Sequence, residues 1–357
     1  MANAVVSAAD EVDTASATDA VSLTTGGRAA AALLRRDASA QQLVTLARTV
    51  ERARDYIKES KAPNTRRAYA ADWRDFRAWC VLHGRPSLPA SPDTVALYLS
   101  DLAERCKTST LQRRLAALSQ AHQAAGQTAH DVPTKHATVR AVMSGIRRTK
   151  GTAQRGKAAA VTAVVRAMVE GRSDRLLGLR DRALLLLGFS GAFRRSELVA
   201  LDVEDLEFTG EGLVVTQRRG KTDQEGEGRK VGIPFGRASG GTDTCPVRAV
   251  RKWLDAAAVL SGPVFRSVNR HGHVQPGRLS DKAVALVVKR HAPAAGLDPL
   301  RYAGHSLRAG LATAAAAAGA SERSIMNQTG HRSVPMVRKY IRDGQLFREN
   351  AASTVGL

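Results

Sequence analysis

Gly304-His305-Ser306-Leu307-Arg308-Ala309-Gly310 sets two basic side chains one helical turn apart, with a glycine at either end. Residues three apart share a helix face, so His305 and Arg308 can grip one small anion. The glycines and small residues around the pair predict that another stretch of backbone comes close. An isolated His-x-x-Arg is most often an accident of a helix surface. Its meaning depends on what the rest of the chain supplies.

Downstream, Thr329-Gly330-His331-Arg332 ends a helix at a glycine and opens a turn. Val337-Arg338-Lys339-Tyr340 follows and puts a tyrosine nine residues after His331. By itself Tyr340 reads as a half-buried helix aromatic. Upstream stand Arg194, in Gly191-Ala192-Phe193-Arg194-Arg195-Ser196-Glu197-Leu198, and Lys221, in Arg218-Arg219-Gly220-Lys221-Thr222-Asp223. Together these are the parts of phosphoryl transfer: cations around the nonbridging oxygens and a nucleophile in line. Arginine suits the clamp because its planar fork matches phosphate oxygens bidentately. A phenol with a pKa of about 10 needs help to lose its proton. No carboxylates cluster near these motifs in a Mg²⁺ arrangement, so neither metal nor cofactor is expected.

The composition agrees with such a partner. The chain has 357 residues, enough for two domains, and 43% of them are apolar, much of that alanine. Alanine is the best helix former, so a mainly helical protein is expected. The net charge is +21, from 54 basic and 33 acidic residues, which favours a polyanion. Cys80, Cys106 and Cys245 match no zinc or redox spacing and read as structural thiols in a reducing compartment. No secretory signal and no apolar run of membrane-spanning length is visible; a cytoplasmic, nucleoid-associated protein is the expectation.

Charge and pattern divide the chain. Residues 1–49 carry a net −1 and read as a flexible or partly helical extension, with a helical pattern from near Ala30 through Val50. Residues 50–150 carry a net +9 and read as a compact bundle of four or five helices. Tyr69, Trp73, Phe76 and Trp79 recur at three- and four-residue spacing and predict the core face of one of them, capped by Asn64 or Thr65. Arg66, Arg67, Arg74 and Arg77 interrupt that stripe, and Arg113 and Arg114 lie on the polar side of another helix; these six are candidate phosphate contacts. Ser91 or Pro92 opens a helix over about 93–102. The polar stretch 151–156 reads as a linker. Residues 157–345 alternate helices with two or three short antiparallel strands around a polar turn, Asp223–Gly228, and 346–357 form a tail.

These motifs, in this order, resemble the tyrosine recombinase, or phage-integrase-like, family over roughly residues 60–345. The resemblance implies a helical SAM-like core-binding domain followed by a mixed α+β catalytic domain with a small antiparallel sheet, the two clamping duplex DNA as a C shape. It assigns Arg194 and Arg308 to the nonbridging oxygens of the scissile phosphate, His305 to the tyrosine proton and His331 to a phosphate oxygen. Lys221 becomes the acid for the departing 5′ oxygen and Tyr340 the nucleophile. A 3′-phosphotyrosine link would conserve bond energy, so rejoining needs no ATP. Glu197 either orients His305 or a catalytic arginine or is an ordinary helix carboxylate. Arg218 and Arg219 join the candidate DNA contacts. The implied partner is double-stranded DNA carrying inverted-repeat sites, bound by protein pairs that form a tetramer in synapsis; no accessory protein is named. A type IB topoisomerase-like enzyme would use related chemistry without defined sites. A non-catalytic DNA-binding module would share the charge but not need the ordered set. A structural role leaves the charge unexplained.

Overall fold

The computed structural model describes residues 40–153, 156–171, 174–218, 220, 227–236, 244–331 and 333–345. The chain divides into two compact units, Met1–Gln154 and Arg155–Leu357.

The first unit is helical: α1 (Ala40–Glu59), α2 (Pro63–Leu82), α3 (Pro92–Ala103), α4 (Thr108–Ala124) and α5 (Ala137–Lys150). Its core is the aromatic face of α2, where Trp73, Phe76 and Trp79 are buried against Tyr98 and Leu99 of α3, Leu111 and Leu118 of α4 and Met143 of α5. The Phe76 and Tyr98 rings meet edge to face, centroids 4.9 Å apart. A fully buried side chain of this size contributes about 1.5–3 kcal/mol. The start of α2 corrects the expected cap. Ala62 is the N-cap, Pro63 is the first helical residue, and no side chain caps the end. Proline suits that position because its φ is already helical and its missing N–H would have had no partner. Asn64, now inside the helix, accepts from the Arg67 guanidinium instead. Ser91 caps α3 as expected, accepting from the Thr94 N–H at 3.1 Å, with Pro92 next.

The second unit runs α6 (Thr162–Val169), α7 (Leu176–Ser190), α8 (Arg195–Ala200), β1 (Leu206–Phe208), β2 (Gly212–Gln217), β3 (Arg229–Pro234), α9 (Pro246–Ala256), β4 (Arg266–Val268), β5 (Val274–Arg278), α10 (Asp281–His291), α11 (His305–Ala317), α12 (Glu322–Thr329) and α13 (Val334–Gln345). Helix α7 is buried on nearly every side from Leu179 to Gly188 and forms the middle of the core. Strands β1, β2 and β3 form an antiparallel sheet in that order, with Leu213 opposite Ile233 and Val215 opposite Val231. Those four residues are buried on one face, as period-two alternation requires. The β4–β5 hairpin had no counterpart in the sequence reading: strands this short, around the polar turn 269–273, leave too little alternation to detect. Among the described residues no helix is long and apolar enough to cross a membrane.

Candidate active site

Arg308 lies one turn into α11 and is 1% exposed. The close approach expected around it occurs at Gly310, where an added Cβ would collide with the Ala160 backbone. The Ala160 N–H donates to the Ser306 carbonyl at 2.9 Å, so this segment is fastened along α11. Arg308 donates from Nη1 to the Ala192 carbonyl at 2.8 Å. Its Nη2 is buried and meets no acceptor among the described residues. Burial, then the neighbouring Arg194 and Arg229, hold its pKa down to about 10, with Glu197 opposing them. The side chain therefore stays charged near neutral pH, with a donor desolvated and unused.

Helix α7 ends at Gly191, and Ala192 adopts a left-handed φ of 49°, a conformation L-residues seldom hold without support. Its carbonyl is the one that Arg308 binds. Gly191 is required by the Phe193 ring, which occupies the space a Cβ would need. The chain then enters α8 with Arg194 at the N-cap. Glu197, 3% exposed, accepts from the Arg194 backbone N–H at 2.9 Å and forms an ion pair with its Nη1. Glu197 thus meets Arg194 rather than His305, and by accepting from the N-cap N–H it also closes the start of α8 as an ordinary helix carboxylate would.

Helix α12 ends at Gly330, whose φ of 64° is left-handed, and His331 follows. The Thr329 hydroxyl donates to the Ile325 carbonyl at 2.7 Å. The same oxygen lies 2.7 Å from His331 Nδ1. Its one hydrogen is committed, so it accepts from Nδ1–H, and Nε2 keeps a lone pair. Burial first, then Arg308, Arg194, His305 and Arg229, push the His331 pKa down to about 4. Helix α13 brings Tyr340 back over this turn. Its ring packs beside Ala312, Ala316, Ile325 and Val337, with its centroid 5.8 Å from that of His331. Its hydroxyl lies 3.0 Å from Nε2 of the exposed His305. The half-buried helix aromatic read from the sequence is thus real, but its polar end faces a histidine.

One member of this cluster went unnoticed in the sequence. Arg229, the first residue of β3, donates from Nε to Gln217 Oε1 at 3.0 Å and from Nη1 to the Asn327 and Gln328 carbonyls at 3.1 and 3.2 Å. Its Nη2 is buried without an acceptor among the described residues. Burial lowers its pKa; Glu197 opposes this and Arg194 adds to it. The signal was in the strand period: Arg229 shares a face with Val231 and Ile233, which point inward.

Lys221 and Arg219 lie outside the described residues. Their neighbour Gly220 backs onto the cluster, since a Cβ there would sit 3.3 Å from Glu197 Oε1. Tyr302, the other tyrosine near the motif, is buried in the main core. Of the arginines considered for DNA, Arg113 grips the buried Asp72 through two bonds of 2.9 Å, and Arg114 pairs with Asp75 and the Tyr98 hydroxyl. Arg218 pairs with Asp202 and Asp205, and Arg66 with Glu59. Arg67, Arg74 and Arg77 are exposed on α2.

Residues 160–345 match the phage integrase family, and residues 50–128 match the phage integrase N-terminal SAM-like domain. An integrase/recombinase xerD homolog of Selenomonas ruminantium is 46% identical over 301 residues, 84% of this chain and 87% of that protein. The recombinase cre of Escherichia phage P1 is 28% identical over 291 residues, 76% of this chain and 81% of its own. The fold is similar to that of a Tn1549 transposon integrase in complex with transposon right end DNA: TM-score 0.57, 14% identity, 78% of this chain and 89% of that one. It is also similar to the XerH site-specific recombinase bound to palindromic difH substrate: TM-score 0.55, 16% identity, 75% and 73% covered. A helical SAM-like region, a mixed α+β unit with a small antiparallel sheet and a match over more than half the chain lead to one conclusion: the chain belongs to the phage integrase family of tyrosine recombinases, whose activity is DNA strand exchange.

Proposed function

We propose that the protein is a site-specific recombinase that cleaves and rejoins DNA through a 3′-phosphotyrosine intermediate, with Tyr340 as nucleophile and without metal or ATP. The observation that carries the reading is the Tyr340 hydroxyl, 3.0 Å from His305 Nε2, beside a buried Arg308 with an unused donor. With Nε2 unprotonated, the phenol donates to it and can pass its proton there as the oxygen attacks phosphorus. Arg308 and Arg194 receive the nonbridging oxygens, and Glu197 fixes the Arg194 fork for them. His331 starts neutral with Nδ1–H on Thr329, so its Nε2 donates to a phosphate oxygen only after gaining a proton. The negative charge of the phosphodiester favours that gain, because it offsets the cations that keep the ring neutral. Lys221 would protonate the leaving 5′ oxygen. The P–O5′ bond breaks as the P–O bond to Tyr340 forms. Attack by a 5′ hydroxyl reverses the exchange, and no bond energy is lost.

The partner is double-stranded DNA with inverted-repeat sites, bound by pairs of protomers and joined as a tetramer in synapsis. Residues 50–150 serve as the core-binding domain, 157–345 as the catalytic domain, and 151–156 as the linker between them. Exposed Arg67, Arg74 and Arg77 are the stronger candidates for phosphate contacts, because Arg66, Arg113, Arg114 and Arg218 already meet carboxylates. A cytoplasmic, nucleoid-associated location goes with this partner.

Tyr340→Phe tests the reading. A suicide substrate nicked near the cleavage position traps the covalent adduct, seen as a shifted band on a denaturing gel. Wild type yields the band and Tyr340→Phe yields none, while both bind the site alike. An adduct from Tyr340→Phe would end the assignment. A topoisomerase-like enzyme would relax a plasmid lacking the site as readily as one carrying it.

A further inference from the structure

We propose that Arg229 is a positioning residue for His331: its guanidinium pins the Thr329–Gly330–His331 turn to the β2–β3 sheet and so fixes the imidazole beside Tyr340. The inference rests on the reading of this cluster as the phosphoryl-transfer site.

A helix leaves its last carbonyls without partners inside the helix. At the end of α12 two of them, those of Asn327 and Gln328, accept from Arg229 Nη1, a donor that comes from a strand distant in sequence. The same guanidinium is held on its other side by Gln217 of β2, the residue opposite it in the sheet register. A planar fork can serve acceptors in several directions at once, which the single ammonium of lysine does less well. The contact extends to the turn itself. A Cβ on Gly330 would lie 2.8 Å from Arg229 Cζ, so the guanidinium forms the floor against which the left-handed turn is built. Gln328 adds a second tie, donating from Nε2 to the Ser190 and Gly232 carbonyls at 2.8 and 3.2 Å. The next residue after this anchored turn is His331. Its other support is the Thr329 hydroxyl, itself part of the anchored helix end. Arg229 is thus built into the protein on Nε and Nη1, and its route to the reaction runs through the histidine.

A double-mutant cycle separates this from a direct phosphate contact. Single-turnover cleavage is measured at saturating DNA for wild type, Arg229→Gln, His331→Ala and the double variant, with Arg229→Lys as the milder change. Displacing a catalytic group by about 1 Å costs on the order of a hundredfold. Arg229→Gln is therefore expected to slow cleavage about tenfold to a hundredfold when His331 is intact, and less than about twofold in the His331→Ala background. Arg229→Lys should recover part of the rate. Equal losses in both backgrounds overturn the proposal, because Arg229 would then act without His331. If Arg229→Gln does not fold, the same cycle is run with Arg229→Lys, and the same comparison decides it.

A second arm needs no activity. Nuclear magnetic resonance titration of the His331 ring in DNA-free full-length protein should show a higher midpoint in Arg229→Gln than in wild type, since a nearby cation and an anchored turn are both lost. An unchanged midpoint counts against the coupling. If wild type forms no adduct, the functional reading fails, while this titration still tests whether Arg229 governs His331.

Discussion

Two pairs of arginines, one pair on each unit, are held in opposite ways. On the first, Arg113 and Arg114 reach carboxylates: a bidentate grip on Asp72, itself 2% exposed, and a pairing with Asp75 that also takes in the Tyr98 hydroxyl. On the second, Arg308 is buried and Arg229 half-buried in each other's field, neither forms an ion pair with a carboxylate among the described residues, and each keeps a buried nitrogen with no acceptor there. Glu197 meets the cluster but gives its oxygens to Arg194. Arg114 also keeps a buried Nε without a hydrogen-bond partner among the described residues, but Asp72 and Asp75 neutralise its charge, so it gains little from an anionic ligand. Under the proposed function, Arg308 has lost its water during folding, so an arriving phosphodiester meets its unused donor already in place, whereas Arg229 acts through the turn that carries His331. Local charge density does not separate these cases, since basic residues crowd both units. The distinction lies in which guanidiniums remain unneutralised after folding.

The largest effect should come from Arg308→Met. Losing one preorganised donor to a developing anion typically costs about 10²–10³ in rate. Stability should change by no more than about 1 kcal/mol, because the lost bond to the Ala192 carbonyl is set against relief of a buried charge. Adduct formation on the nicked substrate and thermal unfolding of the free protein measure the two quantities. A variant that unfolds early yet cleaves normally when folded would reverse the assignment and make Arg308 a structural residue.

Arg113→Ala should do the opposite. It leaves the Asp72 carboxylate buried, with Arg114 Nε 3.8 Å away as its nearest remaining cation. An unsatisfied buried acceptor costs about 1–3 kcal/mol. The thermal midpoint should fall while the cleavage rate at saturating DNA stays the same. If the midpoint holds and DNA affinity drops instead, Arg113 faces phosphate, and the contrast between the units narrows to the catalytic cluster.

How much of this the sequence disclosed follows from the range of each interaction. The α2 aromatic face, the Ser91 cap and the break at Gly191 depend on residues within a turn or two of each other, and pattern alone exposes them. The glycine at 310 was legible as a close approach, though not that Ala160 would be the neighbour. Glu197 could not be assigned because its partner depends on how α8 starts; the carboxylate turns back to its own N-cap residue rather than across to α11. Arg229 escaped because its acceptors are carbonyls of a helix nearly a hundred residues away, and carbonyls carry no sequence signature. The pairing of Arg113 with Asp72 crosses from α4 to α2 and was equally hidden, which is why six arginines on those helices looked alike.

The smallest effect, and the one that tests the free cluster most directly, is the response to acid. His331 titrates at about 4 in the folded protein, against an ordinary value of about 6.5 when unfolded. Between those values the unfolded chain binds the extra proton and the folded chain does not. Stability from this group is therefore complete above about pH 6.5 and drains away as pH falls toward 4. His122 is also held low by burial, so the whole-protein curve mixes at least two histidines. The difference between wild type and His331→Gln removes the shared part: wild type should lose more stability than the variant from pH 7 to 5. Bound DNA should act in the other sense. A phosphate beside Nε2 raises the affinity of His331 for a proton, so the complex takes up a proton near pH 6. Binding enthalpies measured in buffers of different ionisation heat would show that uptake in wild type and its loss in His331→Gln. Equal uptake by both proteins would mean that the phosphate does not reach this ring, and the cation cluster would then end at Arg194 and Arg308.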